Sequence, residues 1–151
     1  MATTYFSFMF RCRHCAAFNR VDMSRSGEPV CGRCKQPLDC SGAPQEVDAE
    51  ALARALANSP VPVLVDFWAT WCGPCRAVAP VVDAFARNHR GEVLVLKLDT
   101  EANGAAAATH AIRGIPTFIV FEAGREVARQ SGAMPLPRLN QFVEQVTGIS
   151  S

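Results

Sequence analysis

The chain has 151 residues, of which 49% are hydrophobic, and its formal net charge is +1. This length and composition suit one domain of about 100 residues with its own core, together with a small module. A net charge this close to zero excludes the strong overall field with which proteins bind nucleic acid or an anionic membrane, and we expect neither partner. No apolar run approaches the roughly 20 residues of a membrane-spanning helix, so we expect no transmembrane segment.

The first ten residues are apolar and aromatic. No basic residue precedes them, and no small-residue cleavage site follows. A secretory signal peptide needs both features and a longer apolar region. We therefore expect no export signal and a cytoplasmic location.

Residues 11–42 contain few aliphatic side chains, are rich in Cys, Arg, Gly and Ser, and show no strand or helix periodicity of useful length. Such a segment cannot bury enough apolar area to fold unaided, so it needs a stabilising cross-link. Residues 41–45, Ser-Gly-Ala-Pro-Gln, have the composition of a linker. We therefore predict an N-terminal zinc-binding module at residues 1–42 and a second domain at residues 43–151.

Four cysteines of the module, Cys12, Cys15, Cys31 and Cys34, have the spacing Cys-x2-Cys-x15-Cys-x2-Cys. Two tight turns that each present two sulfurs are typical of a tetrahedral four-cysteine zinc site. We predict one zinc ion per chain and expect Gly32 to ease the second turn. The alternative is a pair of disulfides in an exported protein, which the expected absence of an export signal disfavours.

A site closed by four sulfurs has no open position, so this zinc is expected to be structural and not catalytic. We expect its removal to unfold residues 11–40 and to spare the second domain, which has its own core. His14 lies between two of the cysteines and is predicted to be an exposed turn residue. Cys40, the odd one of seven cysteines, is predicted to be a partly exposed free thiol.

From about residue 46 onward the apolar pattern is regular. Continuous apolar runs predict buried strands, and runs with a period of 3.6 residues predict helices. In chain order the pattern predicts a helix at 48–58, a strand at 61–69, a helix at 75–88, a strand at 93–98, a helix at 102–110, a strand at 116–121, a turn at 123–125, a strand at 126–130 and a helix at 137–146. This order is typical of an α/β fold with a mixed sheet covered by helices.

Cys72 and Cys75 form a further Cys-x-x-Cys pair at the junction of the second predicted helix with the strand before it. A thiolate at a helix start is stabilised by free backbone N–H groups and by the helix dipole, which lower its pKa. We therefore predict that Cys72 attacks a substrate disulfide and that Cys75, deeper and better buried, resolves the mixed disulfide. Half of a second zinc site is the alternative, and the lack of another cysteine pair downstream disfavours it.

The sequence around this dithiol resembles a known family. The run 66–75, Asp-Phe-Trp-Ala-Thr-Trp-Cys-Gly-Pro-Cys, is similar to the active-site signature of the thioredoxin family, and the run 112–117, Ile-Arg-Gly-Ile-Pro-Thr, is similar to its cis-proline loop. The resemblance covers roughly residues 43–148. It implies the thioredoxin fold, a redox-active disulfide and no directly bound organic cofactor. With residues 11–34 in front, the chain resembles the zinc-containing bacterial thioredoxins.

The resemblance also implies roles for single residues. Asp66 would be a buried acid that moves a proton to and from Cys75, with Lys97 beside it; an edge-exposed acid and a solvent-facing lysine are the alternatives. Pro116 would follow a cis peptide bond and lie against the dithiol, whereas a trans bond is the alternative. An apolar rim that binds substrate around Cys72 is expected from Trp71, Gly73, Pro74, Gly114, Ile115, Gly132 and Ala133.

The Gly-Pro dipeptide between the cysteines resembles that of reducing members of the family. The favoured hypothesis is a reductase that acts on disulfide-containing proteins and is recycled by a thioredoxin reductase. Two alternatives are a zinc ribbon that binds nucleic acid or a protein, and a redox or zinc sensor. Residues 11–35 hold five Arg and one Lys but a single Phe, and this poverty in aromatic residues argues against nucleic-acid binding.

Overall fold

A computed structural model describes residues 7–24 and 27–149 of the chain. Residues 1–6, on which the expectation about an export signal partly falls, lie outside the described residues. The described elements are, in chain order, β1 (Ser7–Arg11), β2 (Phe18–Asp22), β3 (Gln45–Glu46), α1 (Ala49–Asn58), β4 (Val63–Trp68), α2 (Gly73–Asn88), β5 (Leu94–Asp99), α3 (Gly104–Thr109), β6 (Thr117–Glu122), β7 (Arg125–Ser131) and α4 (Leu136–Thr147). None of these helices is both long enough and apolar enough to cross a membrane.

Five strands form one mixed sheet in the order β3-β5-β4-β6-β7. β3 and β4 run parallel to β5, whereas β6 is antiparallel to β4 and β7 is antiparallel to β6. Parallel neighbours need a crossover connection, which α2 supplies between β4 and β5. The sequence prediction of an α/β fold with a mixed sheet is confirmed, and each helix and strand predicted after residue 46 is present within a few residues of its expected ends.

The sheet is covered on both faces. Val65 and Phe67 of β4 lie in a core cluster with α1 and α3, whereas Leu64 lies in a second cluster with α2 and α4. Because side chains alternate along a strand, Asp66 shares the face of Leu64 and therefore lies under α2, the helix that carries Cys75. Burial on both faces also explains why the central strands are nearly continuous apolar runs.

A hairpin of β1 and β2 precedes the sheet, in a segment where the sequence pattern predicted no strand. The two strands pair antiparallel over all five residues. Phe8, Met9 and Phe10 are all buried, so β1 lacks the alternation of polar and apolar residues by which a half-buried strand is recognised. These three side chains belong to the same core cluster as α1. The N-terminal module therefore packs against the core of the larger domain.

Hydrogen bonds also join the hairpin to the larger domain. Gln45 of β3 accepts a hydrogen bond from the backbone N–H of Arg11, and its amide donates to the carbonyl of Met9 at 3.0 Å. The linker predicted at residues 41–45 thus overlaps an edge strand, because Gln45 pairs with Leu96 of β5. Composition does not show this pairing, since its partners lie far away in the chain.

The segment after the second cysteine pair is held against the C-terminal end of α2. The Arg90 guanidinium donates a hydrogen bond to the Cys40 carbonyl at 2.5 Å. Cys40 itself is a free, partly buried thiol, as the sequence predicted.

Phe10 offers a test of the shared core, because its side chain is only 2% exposed within the cluster that contains α1. Phe10→Ala should lower the free energy of unfolding by about 3–5 kcal/mol, the usual result of leaving a large cavity. We expect a single transition that shifts as a whole in urea, followed by the fluorescence of Trp68 and Trp71 in the larger domain. Val127→Ala, at an exposed position, is the control. A fluorescence transition that stays at the wild-type urea concentration would contradict a shared core.

Candidate active site and metal centre

The dithiol lies where β4 leads into α2. Cys72 is the N-cap residue of α2, and its sulfur accepts a hydrogen bond from the backbone N–H of Cys75 at 3.2 Å. Cys72 and Cys75 are joined by a disulfide in this structure. The helix begins with Gly73 and Pro74, so its first turn is preorganised around the two sulfurs. An unpaired N–H group at a helix start stabilises a thiolate, which is the chemistry that the sequence predicted for Cys72.

The expected difference in burial between the two cysteines is wrong for this disulfide form. Cys72 is 3% exposed and Cys75 is 4% exposed. The loop before β6 explains the burial of Cys72, because the Cys72 sulfur lies 3.8 Å from the carbonyl oxygen of Ile115. Ile115 also packs against both cysteines. Helix position alone does not reveal this cover, because Ile115 lies 43 residues after Cys72 in the chain.

The peptide bond between Ile115 and Pro116 is cis, in agreement with the prediction. Pro116 is connected to the end of β7 through its carbonyl, which accepts a hydrogen bond from the Gly132 backbone N–H at 2.8 Å. Gly132 has a φ of 96°, a left-handed conformation that favours glycine. The loops that contain Ile115 and Gly132 are thereby fixed side by side.

The predicted substrate rim is mostly exposed around these buried sulfurs. Gly73, Pro74, Gly114 and Ala133 are exposed, and Ile115 is partly buried. Trp71 is 64% exposed, an unusual degree for a large aromatic side chain. Exposed apolar surface beside a reactive pair is typical of a surface that contacts other proteins.

Glu101 belongs to this surface and was not singled out from the sequence. It accepts a hydrogen bond from the indole N–H of Trp71 at 2.6 Å. The two residues are 30 positions apart in the chain, so no local pattern connects them. The bond restrains an exposed ring next to Cys72 that would otherwise rotate in solvent.

Asp66 is buried, with 1% of its surface exposed, and the alternative of an edge-exposed acid is wrong. Its Oδ1 has no hydrogen-bond partner among the described residues. Burial raises the pKa of the Asp66 carboxyl to about 7, because the charged form loses its water, and nearby Lys97 opposes this shift only partly. Asp66 can therefore exchange a proton near neutral pH.

Lys97 is the register neighbour of Asp66 on β5. Its ammonium lies 4.8 Å from the ring centre of Trp68, a cation–π contact. Within the described part of the chain Lys97 forms no direct ion pair. The lysine is thus next to the buried acid along the sheet, where its charge acts at longer range.

The four cysteines of the N-terminal module lie together. Their sulfurs are all within 4.8 Å of one another, and the Cys12–Cys34 and Cys15–Cys31 pairs are each 3.6 Å apart. Four sulfurs placed about 2.3 Å from a central zinc ion in a tetrahedron are about 3.8 Å apart, so the cluster has nearly the dimensions of that site. His14 is exposed in the turn and is not part of the cluster, as predicted.

The two cysteine turns have the same backbone geometry. In the first, the N–H of Ala16 donates to the carbonyl of Cys12 at 2.9 Å; in the second, the N–H of Lys35 donates to that of Cys31 at 2.9 Å. Ala16 and Lys35 have φ values of 67° and 66°, the left-handed conformation. The expectation that Gly32 eases the second turn is wrong, because its φ is not left-handed and Lys35 takes that position.

Hydrogen bonds to the cysteine cluster hold its second turn and stabilise negative charge on the Cys31 sulfur. Asn19, which the sequence analysis did not select, donates to the Cys31 sulfur at 3.4 Å and accepts a bond from the Gly32 N–H at 2.8 Å. The backbone N–H of Cys34 and the Asn19 amide together lower the pKa of the Cys31 thiol to about 6. Donors around Cys31 favour its thiolate, the form that binds metal, whereas burial and the neighbouring sulfurs raise the pKa of Cys34 to about 11. The donor set fits zinc.

The buried carboxyl of Asp66 leads to a prediction about stability. Its folded-state pKa of about 7 exceeds the value of about 3.9 in an unfolded chain. The folded protein therefore binds more protons between these values, and the carboxyl destabilises the fold increasingly as pH rises through this window. Asp66→Ala should raise the free energy of unfolding by up to about 4 kcal/mol at pH 8, and by much less near pH 4.

Thermal unfolding of the wild type and of Asp66→Ala at pH 4 and pH 8 measures this effect, with the Cys72–Cys75 pair either oxidised to the disulfide or reduced to the dithiol. Glu144→Gln, which removes an exposed carboxylate from α4, controls for net charge. A loss of stability at pH 8 in Asp66→Ala would show that the carboxyl is instead a structural hydrogen-bond partner.

Comparison with known proteins agrees with this geometry. Residues 43–145 match the thioredoxin family. Thioredoxin 1 of a Nostoc species is 46% identical over 105 residues, which cover 70% of this chain and 97% of that protein. Thioredoxin C-3 of Corynebacterium nephridii is 38% identical over 138 residues, which cover 89% of this chain and 92% of that protein. Residues 43–151 are too few to supply that alignment, so the similarity extends into the N-terminal module.

A solved thioredoxin of Halobacterium salinarum superposes with a TM-score of 0.66 at 30% identity, over 75% of this chain and 98% of that chain. The prediction of the thioredoxin fold is confirmed. With the Cys72–Cys75 disulfide at the start of α2, the protein is a thioredoxin-type disulfide oxidoreductase. The chain belongs to the thioredoxin family.

Proposed function

We propose that this protein reduces disulfides in other proteins through Cys72 and Cys75 and is then recycled by a thioredoxin reductase. The observation that carries the proposal is the position of Cys72: an N-cap sulfur that accepts a backbone N–H, inside a rim of exposed residues. The Gly-Pro dipeptide between the cysteines, which resembles that of reducing relatives, supports the direction of electron flow. A reductase of this kind works where thiols are kept reduced, so we place it in the cytoplasm.

In the reduced protein, the Cys72 thiolate attacks one sulfur of a substrate disulfide. A mixed disulfide forms, and the other substrate sulfur leaves as a thiolate that takes up a proton. Cys75 then loses its proton to Asp66 and attacks the Cys72 sulfur, which releases the second substrate sulfur. The dithiol has given up two electrons and become the Cys72–Cys75 disulfide, and a thioredoxin reductase returns those electrons.

The rim explains how one site accepts many proteins. Gly114, Ile115, Gly132 and Ala133 offer backbone and small apolar groups and no charge, and an extended substrate segment would bind the Ile115 backbone as an added strand. Trp71, the chain neighbour of Cys72, contributes an exposed aromatic surface. Binding through shape and backbone gives a loose sequence preference, as a general reductase requires.

We also propose that Cys12, Cys15, Cys31 and Cys34 hold one structural zinc ion. Four thiolates would close its coordination, so the ion would contribute folding free energy and have no open position for chemistry. Cys72 and Cys75, which carry the proposed dithiol chemistry, lie at the start of α2 and are not part of this cluster.

Single substitutions at the dithiol separate the two cysteine roles. Cys72→Ser should abolish insulin reduction in an assay with NADPH and thioredoxin reductase, since no nucleophile remains. Cys75→Ser should instead accumulate mixed disulfides with substrate proteins, visible on nonreducing gels and by mass spectrometry, because nothing resolves them. Cys40→Ser removes a free thiol outside the site and should reduce insulin like the wild type. Normal turnover by Cys75→Ser would reject the assignment.

Metal content tests the second centre. Protein purified under reducing conditions without chelator should contain one zinc ion per chain, and Cys31→Ser should contain much less. Removing the metal should increase amide exchange in residues 11–40, because the two cysteine turns lose their common ligand, while the central strands of the larger domain stay protected and the protein still reduces insulin. Wild-type protein free of zinc after such a preparation would refute the site.

A further inference from the structure

A row of three charged residues crosses three strands of the sheet near the dithiol. Glu46 of β3 is the register neighbour of Lys97 on β5, and Lys97 is the register neighbour of Asp66 on β4. Residues in register on adjacent strands point to the same face. All three side chains therefore lie on the face covered by α2, and the lysine stands between two carboxylates.

Lys97 forms a close ion pair with neither of the two acids. Its ammonium lies over the Trp68 ring. Among the described residues it forms no direct ion pair with Asp66 or Glu46. A charge placed in this way interacts with both carboxylates at medium range. The attraction that Lys97 gives to Asp66 is thus partly offset by repulsion from Glu46.

The other groups on this face are few. Asp99 lies at the far end of β5, where its carboxylate accepts a hydrogen bond from the Glu101 N–H at 2.9 Å. Among the buried residues of α2 the titratable group is Cys75, and His89, buried just beyond the C-terminal end of the helix, packs on Phe85. The β6 neighbour of Asp66 is Phe118, and the buried residues of α4 are the apolar Leu139 and Val143. Glu46 is therefore the additional charge from the edge of the sheet that acts on the Lys97–Asp66 pair.

The N-terminal hairpin helps to hold Glu46 in this place. β3 is only two residues long, and the Arg11 guanidinium donates a hydrogen bond to the Glu46 carbonyl at 2.8 Å. On the other side of β3 the Val47 N–H donates to the Lys97 carbonyl at 2.9 Å. These bonds hold the backbone of Glu46 in register with Lys97, while the Glu46 side chain at the sheet edge is exposed.

We propose that Glu46 is a positioning residue for proton transfer at the dithiol: its negative charge repels that of the Asp66 carboxylate, offsets part of the attraction from Lys97, and so strengthens the hold of Asp66 on the proton taken from Cys75. This inference rests on the proposed role of Asp66 as proton carrier. In the resolving step the proton passes from the Cys75 sulfur to the Asp66 carboxylate and afterwards to the departing substrate thiolate. An ordinary carboxylate is too weak a base for a thiol near neutral pH, and Glu46 reduces that mismatch.

Burial and charge at these residues agree with the proposal. Burial raises the pKa of Asp66, Lys97 opposes this rise, and the negative charge of Glu46 adds to it. The pKa of Glu46 itself is raised by partial burial and opposed by Lys97, as expected for two acids that share one cation. Burial is the larger cause of both shifts, and the row of three charges supplies the electrostatic contributions of Lys97 and Glu46.

The test is an NMR titration of the Asp66 carboxyl carbon in the reduced full-length protein. Glu46→Gln should lower the midpoint by about 0.3–1.2 pH units, the range for two unit charges about 10 Å apart at effective dielectric constants between water and a protein surface. Glu46→Asp keeps the charge and should stay closer to wild type. Glu144→Gln removes an exposed carboxylate from α4 and should leave the midpoint unchanged. A Glu46→Gln midpoint equal to wild type overturns the inference.

A second measurement separates this inference from the proposed function. The rate at which Cys75 resolves a preformed mixed disulfide is followed against pH in the same variants. We expect its midpoint to move with the Asp66 titration in Glu46→Gln. If the rate follows Asp66 in the wild type but neither quantity responds to Glu46→Gln, the role of Asp66 stands and that of Glu46 is overturned. If the titration moves and the rate profile does not, Asp66 is not the proton carrier, and the role of Glu46 falls with it.

Discussion

The pairing of β4 with β5 on one side and β6 on the other is the interaction on which the site depends. It places β4 at the centre of the sheet, where both faces are covered, and so buries Asp66. The same strand ends just before Cys72, which it delivers to the start of α2. β6, antiparallel to β4, brings the Ile115–Pro116 loop against the sulfur. The positions of the buried acid, of Cys72 and of the covering loop are thus consequences of one strand arrangement.

The burial of Asp66 in this arrangement lowers the stability of the fold and at the same time serves the proposed proton transfer. A carboxylate in an apolar sheet destabilises the folded protein increasingly as pH rises from about 4 to about 7, and its Oδ1 has no hydrogen-bond partner among the described residues. A more stable protein would have an apolar residue at that position. The raised pKa is also what allows Asp66 to exchange a proton near pH 7, so the same burial that destabilises the fold equips it for the chemistry proposed here.

The N-terminal hairpin links the cysteine cluster to the rest of the molecule. Phe8 and Phe10 insert into the core shared with α1, while Arg11 contacts the backbone of β3 one position before the first cysteine. Folding free energy from a bound zinc ion would therefore also stabilise the edge of the main sheet. The left-handed residues Ala16 and Lys35 show that the cysteine turns adopt their geometry without glycine, at a conformational cost that ligation of the sulfurs would offset.

The sequence by itself determined the order of elements after residue 46, the mixed α/β sheet and the two cysteine centres, because local periodicity and Cys-x-x-Cys spacing act over a few residues. The tertiary structure decided what depends on distant contacts. β1 is buried without alternation, so no period revealed it. The equal burial of Cys72 and Cys75 comes from a loop 40 residues further along the chain. Glu46, Glu101 and Asn19 gain their roles from partners across the fold, Lys97, Trp71 and Cys31. Side chains of this kind are ordinary polar residues until pairing of the strands brings their partners within reach.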